Sequence, residues 1–145
     1  MKPEPPPVDK HTLEVRVRYA ETDRMGVLHH ARYFVLLELA RTEALRDKGM
    51  NYRQMEDEGW FLVVSEARCR YKAPAYYDDV LLIETTVTRT THARIDHFYR
   101  IFRKSDGQLL AEAETTLACV DREGTIQPIP EKLLELLGRS EGTCR

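Results

Sequence analysis

Cysteine is scarce in this chain. Three thiols in 145 residues, Cys69, Cys119 and Cys144, stand far apart and in no C-x-x-C pair. That excludes a disulfide framework and a cysteine-based zinc site, and it fits a reducing, cytoplasmic compartment. No apolar run approaches the roughly 18 residues that a membrane span needs, and the start, MKPEPPPVDK, has no apolar signal core. Neither sign of charge dominates: 22 basic against 24 acidic residues leave a formal charge of -2. Nucleic acid is therefore not expected as a partner. Several catalytic signatures are missing as well, among them the G-x-S-x-G elbow, the Walker loop and G-x-G-x-x-G.

Glycine and proline are few and fall between segments. Four of the seven prolines lie in the first seven residues, so positions 1–10 read as a flexible, proline-rich leader and positions 139–145 as a flexible tail. The 128 residues between them suffice for one domain, 11–138. Within it, Gly26, Gly49, Gly59, Gly107, Gly124 and Gly138 mark junctions.

What remains is strongly patterned. LEVRVRY alternates with period two, which places Leu13, Val15, Val17 and Tyr19 on one strand face. From Ala31 to Lys48 the period is helical, with Gly49 positioned as a left-handed stop. Tyr33, Phe34, Val35, Leu36, Leu37 and Leu39 make the first turns apolar nearly all round, so a helix covered on most sides is expected. NYRQMEDEG reads as a short surface helix, and FLVVSEARCRY as a strand with Phe61, Val63, Ala67, Cys69 and Tyr71 on one face. VLLIETTVTRT, ARIDHFYRIFRK and QLLAEAETTLACV follow as strands, the last two joined at SDG by a tight turn. EKLLELLG, behind Pro128 and Pro130, is a last short helix. The order predicts an α+β fold, an antiparallel sheet wrapped around a long central helix. A ferredoxin-like split would need a second long helix in mid-chain, and no segment supplies one.

The junction RYAETDRMGVLHHARYF carries the chemistry. A helix opening near His30 leaves N–H groups without intrahelical partners, yet Val27, Leu28 and His29 precede it rather than Ser, Thr, Asp or Asn. The amides of His30 and Ala31 are thus expected to be open to a ligand, and a positively polarised helix end suits a developing oxyanion. Gly26 lets the loop turn sharply and bring the Asp23 carboxylate back towards that end. The alternative reading makes Asp23 a turn or distant capping residue and the two histidines ordinary helix-start side chains. Adjacent histidines diverge on a helix, so they are not expected to bind a metal. Glu38 and Arg41, one turn apart, can form an ion pair.

These residues resemble a known family. YAETDRMGVLHHARYFVLLELARTEALRDKG is similar to the signature of hotdog-fold thioesterases of the 4-hydroxybenzoyl-CoA thioesterase type and of their tol-pal-associated acyl-CoA thioesterase relatives. The likeness continues through RYKAPAYYDDVLLIETTV and AEAETTLACVD, covering Leu13 to Leu137, with ETD standing where the family more often has DTD. The resemblance implies a hotdog fold, a homodimer or homotetramer, and acyl-CoA thioesters bound between subunits. It implies Asp23 as catalytic carboxylate, nucleophile or general base, and the His30 backbone amide as the polariser of the thioester carbonyl. Gly26, Tyr33, Glu38 and Arg89 are then expected to bind substrate, and no cofactor is needed beyond the coenzyme A of the substrate. Lys72, Arg89, Arg94 and Arg103 are candidates for the coenzyme's phosphates, and Trp60, Phe61 and Tyr33 for the acyl pocket. A module that binds acyl-CoA without hydrolysing it is the alternative; a hotdog dehydratase is disfavoured by the lack of a suitable Asp or His motif.

Overall fold

The computed structural model describes residues 10–138; the leader and tail expected from the sequence lie outside these residues, apart from Lys10, which opens the first strand. Six strands and three α-helices follow in the order β1 (Lys10–Arg16), α1 (Arg32–Asp47), α2 (Tyr52–Asp57), β2 (Phe61–Tyr71), β3 (Val80–Thr90), β4 (Ile95–Arg103), β5 (Leu109–Val120), β6 (Ile126–Gln127) and α3 (Glu131–Leu137). One antiparallel sheet runs β1-β3-β4-β5-β2, with the short β6 added to the end of β5. α1 lies on one face and touches β1, β3 and β2. The sheet therefore curls around the helix as expected.

Inward positions alternate along each central strand: Leu81 and Ile83 on β3, Tyr99 and Ile101 on β4, Ala111 and Ala113 on β5. Against them α1 sets Tyr33, Leu36, Leu37 and Ala40, spaced one helical turn apart. A second cluster gathers Leu45, Ile95, Leu117, Cys119, Leu133 and Leu134 beneath α3. At about 25 cal/mol per Å² of apolar surface, each such aliphatic side chain contributes roughly 2 kcal/mol.

The structure corrects three expectations. Tyr19 leaves the strand for a 3-10 turn, Tyr19–Glu21, and is 77 % exposed. On β2, Phe61 and Val63 do not share the inward face of Cys69, because a bulge at Ser65 breaks the pairing with β5 between Val64 and Glu66. One extra residue reverses the alternation, so Leu62 packs inward before the bulge and Cys69 after it. The third concerns α1: Phe34, Val35 and Leu39 are exposed at 38 %, 48 % and 41 % in the single chain. One sheet covers only one side of a helix.

Candidate active site

The segment between β1 and α1 is built around the carboxylate of Asp23. Its Oδ1 accepts from the N–H groups of Met25 (2.9 Å) and Val27 (3.3 Å), while the Asp23 N–H donates to the Val27 carbonyl at 2.9 Å and the Asp23 carbonyl accepts from the Gly26 N–H at 3.0 Å. Gly26 sits at φ +80°, the left-handed conformation in which a side chain would be strained. The turn is then pinned to the rest of the fold by Leu28, whose N–H donates to the Ala75 carbonyl at 2.7 Å. Asp23 is thus a turn residue through one oxygen, and its Oδ2 has no hydrogen-bond partner among the described residues.

Glu21 is committed elsewhere. It is buried, its carboxylate accepts from the Arg18 N–H at 2.8 Å and pairs with the Arg18 guanidinium, and its carbonyl accepts from the His29 N–H.

The start of α1 is capped in an unexpected way. His29 turns its ring back so that Nδ1 accepts from the Ala31 N–H at 3.1 Å, while the Arg32 and Tyr33 amides close onto the His29 and His30 carbonyls. The Ala31 amide expected to be open is therefore taken. The His30 N–H is not: it has no acceptor among the described residues. Imidazole accepts from an amide two residues on much as an Asx side chain does, a capping role that a list of preferred capping residues does not contain. The two histidine rings stack at 4.4 Å rather than converging on a common point.

Asp23 and His30 line one open hollow together with Tyr33, Tyr71, Lys72 and Pro74. The Tyr71 hydroxyl donates to the His30 carbonyl at 2.9 Å, which fixes the peptide beside the open amide. Tyr33 packs edge-on against Tyr71, centroids 4.9 Å apart. Burial, with smaller contributions from Cys69 and Tyr71, pushes the Tyr33 hydroxyl up to about 12, so it stays protonated and serves as wall rather than base. Gly26 shares a second hollow with Asp23, Tyr19 and Tyr77.

Other sequence candidates fall elsewhere. Glu38 is exposed on α1 and makes no ion pair with Arg41; that side chain is buried instead, close to Tyr52, Tyr99 and His97. Neither Glu38 nor Arg89 lines either hollow. Arg94 flanks the start of β4, whereas Arg103 stands at its other end, so Arg89, Arg94 and Arg103 form no cluster. Arg103 is also fully engaged by Asp79 (3.0 Å), Asp106 (2.8 Å) and the Pro74 carbonyl (2.7 Å). Trp60 packs with the second core cluster, away from the hollow. Tyr71 is the contributor that sequence reading placed only as a strand residue, and the signal available was its position just before Lys72 and Pro74 at a strand end.

Comparison with known proteins places the chain in a family. Residues 17–137 match the model of the thioesterase-like superfamily. The chain is 34% identical over 116 residues to a putative acyl-CoA thioesterase, YneP, of Bacillus subtilis, spanning 80% of this chain and 83% of that one. It is 38% identical over 107 residues to the acyl-CoA thioester hydrolase YbgC of Escherichia coli, spanning 74% and 79%. Among solved structures, a 1,4-dihydroxy-2-naphthoyl-CoA thioesterase from Synechocystis superposes with a TM-score of 0.83 at 25% identity, over 89% of this chain and 96% of that one. The chain belongs to the thioesterase-like superfamily, among the hotdog-fold thioester hydrolases of the 4-hydroxybenzoyl-CoA thioesterase type.

Proposed function

We propose that the protein hydrolyses an acyl-CoA thioester in the hollow between Asp23 and the start of α1. The observation that carries this reading is the coincidence, on one hollow, of a carboxylate with a spare oxygen and a backbone N–H without an acceptor. In this scheme the His30 N–H receives the thioester carbonyl oxygen as negative charge develops there. Asp23 Oδ2 either attacks the carbonyl carbon, giving an acyl-enzyme anhydride that water then opens, or takes a proton from an attacking water. In both routes the C–S bond breaks, the thiolate leaves and is protonated by solvent, and the acid is released. Thiolate is a good leaving group, so the scheme asks only for a positioned carboxylate and an oxyanion donor, and it uses no cofactor beyond the substrate's own coenzyme A. Lys72, on the rim of the hollow, is the cation best placed for a coenzyme A phosphate.

The hollow is open in the single chain, and the fold offers a means of closing it. Among the described residues the outer edge of β2 pairs with no strand, Val63 and Val64 on it are 41 % and 47 % exposed, and α1 leaves Phe34, Val35 and Leu39 uncovered. A second copy pairing along β2 and covering this side of α1 protects both features.

Asp23→Asn tests the scheme cleanly, because asparagine keeps the Oδ1 that holds the turn and removes only the charge. Steady-state thiol release should show kcat lower by on the order of a hundredfold, with calorimetric binding of a non-hydrolysable acyl-CoA analogue unchanged. Unaltered turnover would falsify the mechanism. Tight acyl-CoA binding by the unsubstituted protein with no turnover of any thioester would identify a binding module instead.

A further inference from the structure

The two apolar clusters of the core are separated by a polar layer that the thioesterase chemistry does not use. On the inward face of the sheet, Thr85 of β3, His97 of β4 and Thr115 of β5 stand where the neighbouring inward positions are aliphatic or tyrosine, and Arg41 of α1 faces them. Tyr99 and Thr115 satisfy each other through a 2.7 Å hydrogen bond. The remaining groups do not. Thr85 Oγ1, His97 Nδ1 and the Nδ1 of His11 are buried without any hydrogen-bond partner among the described residues, although Thr85 and His97 are only 2 % and 7 % exposed.

Arg41 is 8 % exposed and forms no ion pair with any described carboxylate; it lies close to Tyr52, Tyr99 and His97, none of which carries a negative charge at neutral pH. A buried cation without a counter-charge and buried polar atoms without partners are each costly. Here they line a single cavity with about 30 Å³ open to the centre of a water-sized sphere, walled otherwise by such side chains as Leu45, Ile95 and Leu117. The cavity lies about three turns of α1 beyond His30, on the order of 15 Å along the helix, and is separate from the hollow at Asp23.

We propose that this cavity is a binding site for a small monovalent anion, a halide or a short aliphatic carboxylate, with Arg41 supplying the charge and Thr85 and His97 donating hydrogen bonds. Three of these groups then acquire a partner: the Arg41 guanidinium a counter-ion, the Thr85 hydroxyl an acceptor, and the neutral His97 imidazole an acceptor for its Nδ1–H tautomer. The remaining walls are largely apolar, among them Leu45, Ile95 and Leu117, and suit the short aliphatic tail of such a carboxylate. A larger or doubly charged anion does not fit so little space.

Thermal unfolding in potassium gluconate, whose anion is too bulky to enter, provides the reference at constant ionic strength. Replacing gluconate by chloride in one series and by propionate in another should raise Tm saturably, by roughly 4 °C at ten times Kd. The broadening of the ³⁵Cl resonance by the protein, and its reversal by propionate, then separates the two occupants: a response to either anion supports the site and names its ligand. Thr85→Val removes one donor while conserving shape, and should weaken anion affinity by on the order of tenfold. Arg41→Met should abolish the response, and if that variant does not fold, the Thr85→Val comparison still decides. Equal Tm in gluconate, chloride and propionate, with no ³⁵Cl broadening, would overturn the proposal and leave the cavity to water; so would an undiminished response in Thr85→Val.

Discussion

At Asp23 the two oxygens of one side chain serve separate ends, one tying the turn to Met25 and Val27, the other on the hollow without a hydrogen-bond partner among the described residues. A contrasting division separates two basic residues near the same hollow. Lys72 lies on its rim with only a 4.0 Å contact to Glu112, whereas Arg103 is 11 % exposed at its side chain and locked onto Asp79, Asp106 and Pro74. Lys72→Ala should therefore raise KM for acyl-CoA roughly two- to fivefold and reduce its salt dependence, with little effect on a thioester lacking the nucleotide. Arg103→Ala should instead lower stability by about 2 kcal/mol or more, since it strips partners from Asp79 and the Pro74 carbonyl. Steady-state kinetics at two ionic strengths and denaturant unfolding distinguish the two outcomes. Sequence could not separate these residues, because a basic side chain on a strand reads alike whether it is solvated or engaged by acids brought in from distant loops. The meeting of Asp23 and His30 on one hollow was legible because a local anomaly, a helix start without a conventional cap, marks them. The imidazole cap of His29 was not, since it depends on a ring orientation that spacing does not encode.

Among the elements, those bounded by glycine and proline were legible nearly to the residue: α1 was expected at Ala31 to Lys48 and occupies Arg32–Asp47, and β2 was expected and found at Phe61–Tyr71. What was hidden there was pairing geometry. The bulge at Ser65 shows in no propensity, yet it turns Val63 outward, and β6 is too short to carry a period. The apolar surround of α1 was read correctly as composition, but one chain covers only part of it. If the bare side of α1 and the free edge of β2 are an interface, Val64→Lys should place a charge there without disturbing the core, because Val64 is 47 % exposed. Sedimentation at micromolar concentration should show at least a dimer for the unsubstituted protein and a shift towards monomer for Val64→Lys, with thioester turnover falling in step. A monomeric parent protein of full activity would refute the interface.

On the scale of the whole molecule, the polar layer between the two clusters couples stability to pH. His97 lies in it, and burial, reinforced by the Arg41 charge and only partly opposed by Asp96, lowers its pKa from 6.5 to about 4. Arg41 approaches from α1, His11 from β1 and Lys48 from the end of α1, while Asp96 stands next to His97 on β4 with its carboxylate engaged by Thr116 and Arg94. The unfolded chain takes up a proton at this residue near pH 6.5 and the folded chain not until about pH 4, so across that interval the unfolded state binds more protons. Stability contributed by neutral His97 is therefore present in full above pH 6.5, falls as the pH is lowered, and stops changing below about 4. The total loss amounts to roughly 3 kcal/mol at most. Denaturant unfolding at pH 7, 5.5 and 4, at fixed protein concentration so that association does not enter, should show this acid limb. His97→Gln, which is polar and similar in reach but does not titrate, should flatten it. Surface carboxylates that pair only in the folded state lose stability at lower pH and do so equally in both proteins, so the difference between the two curves isolates the histidine. Parallel curves would mean that the core tolerates an imidazolium beside Arg41, which is physically reasonable only if an anion already sits between them.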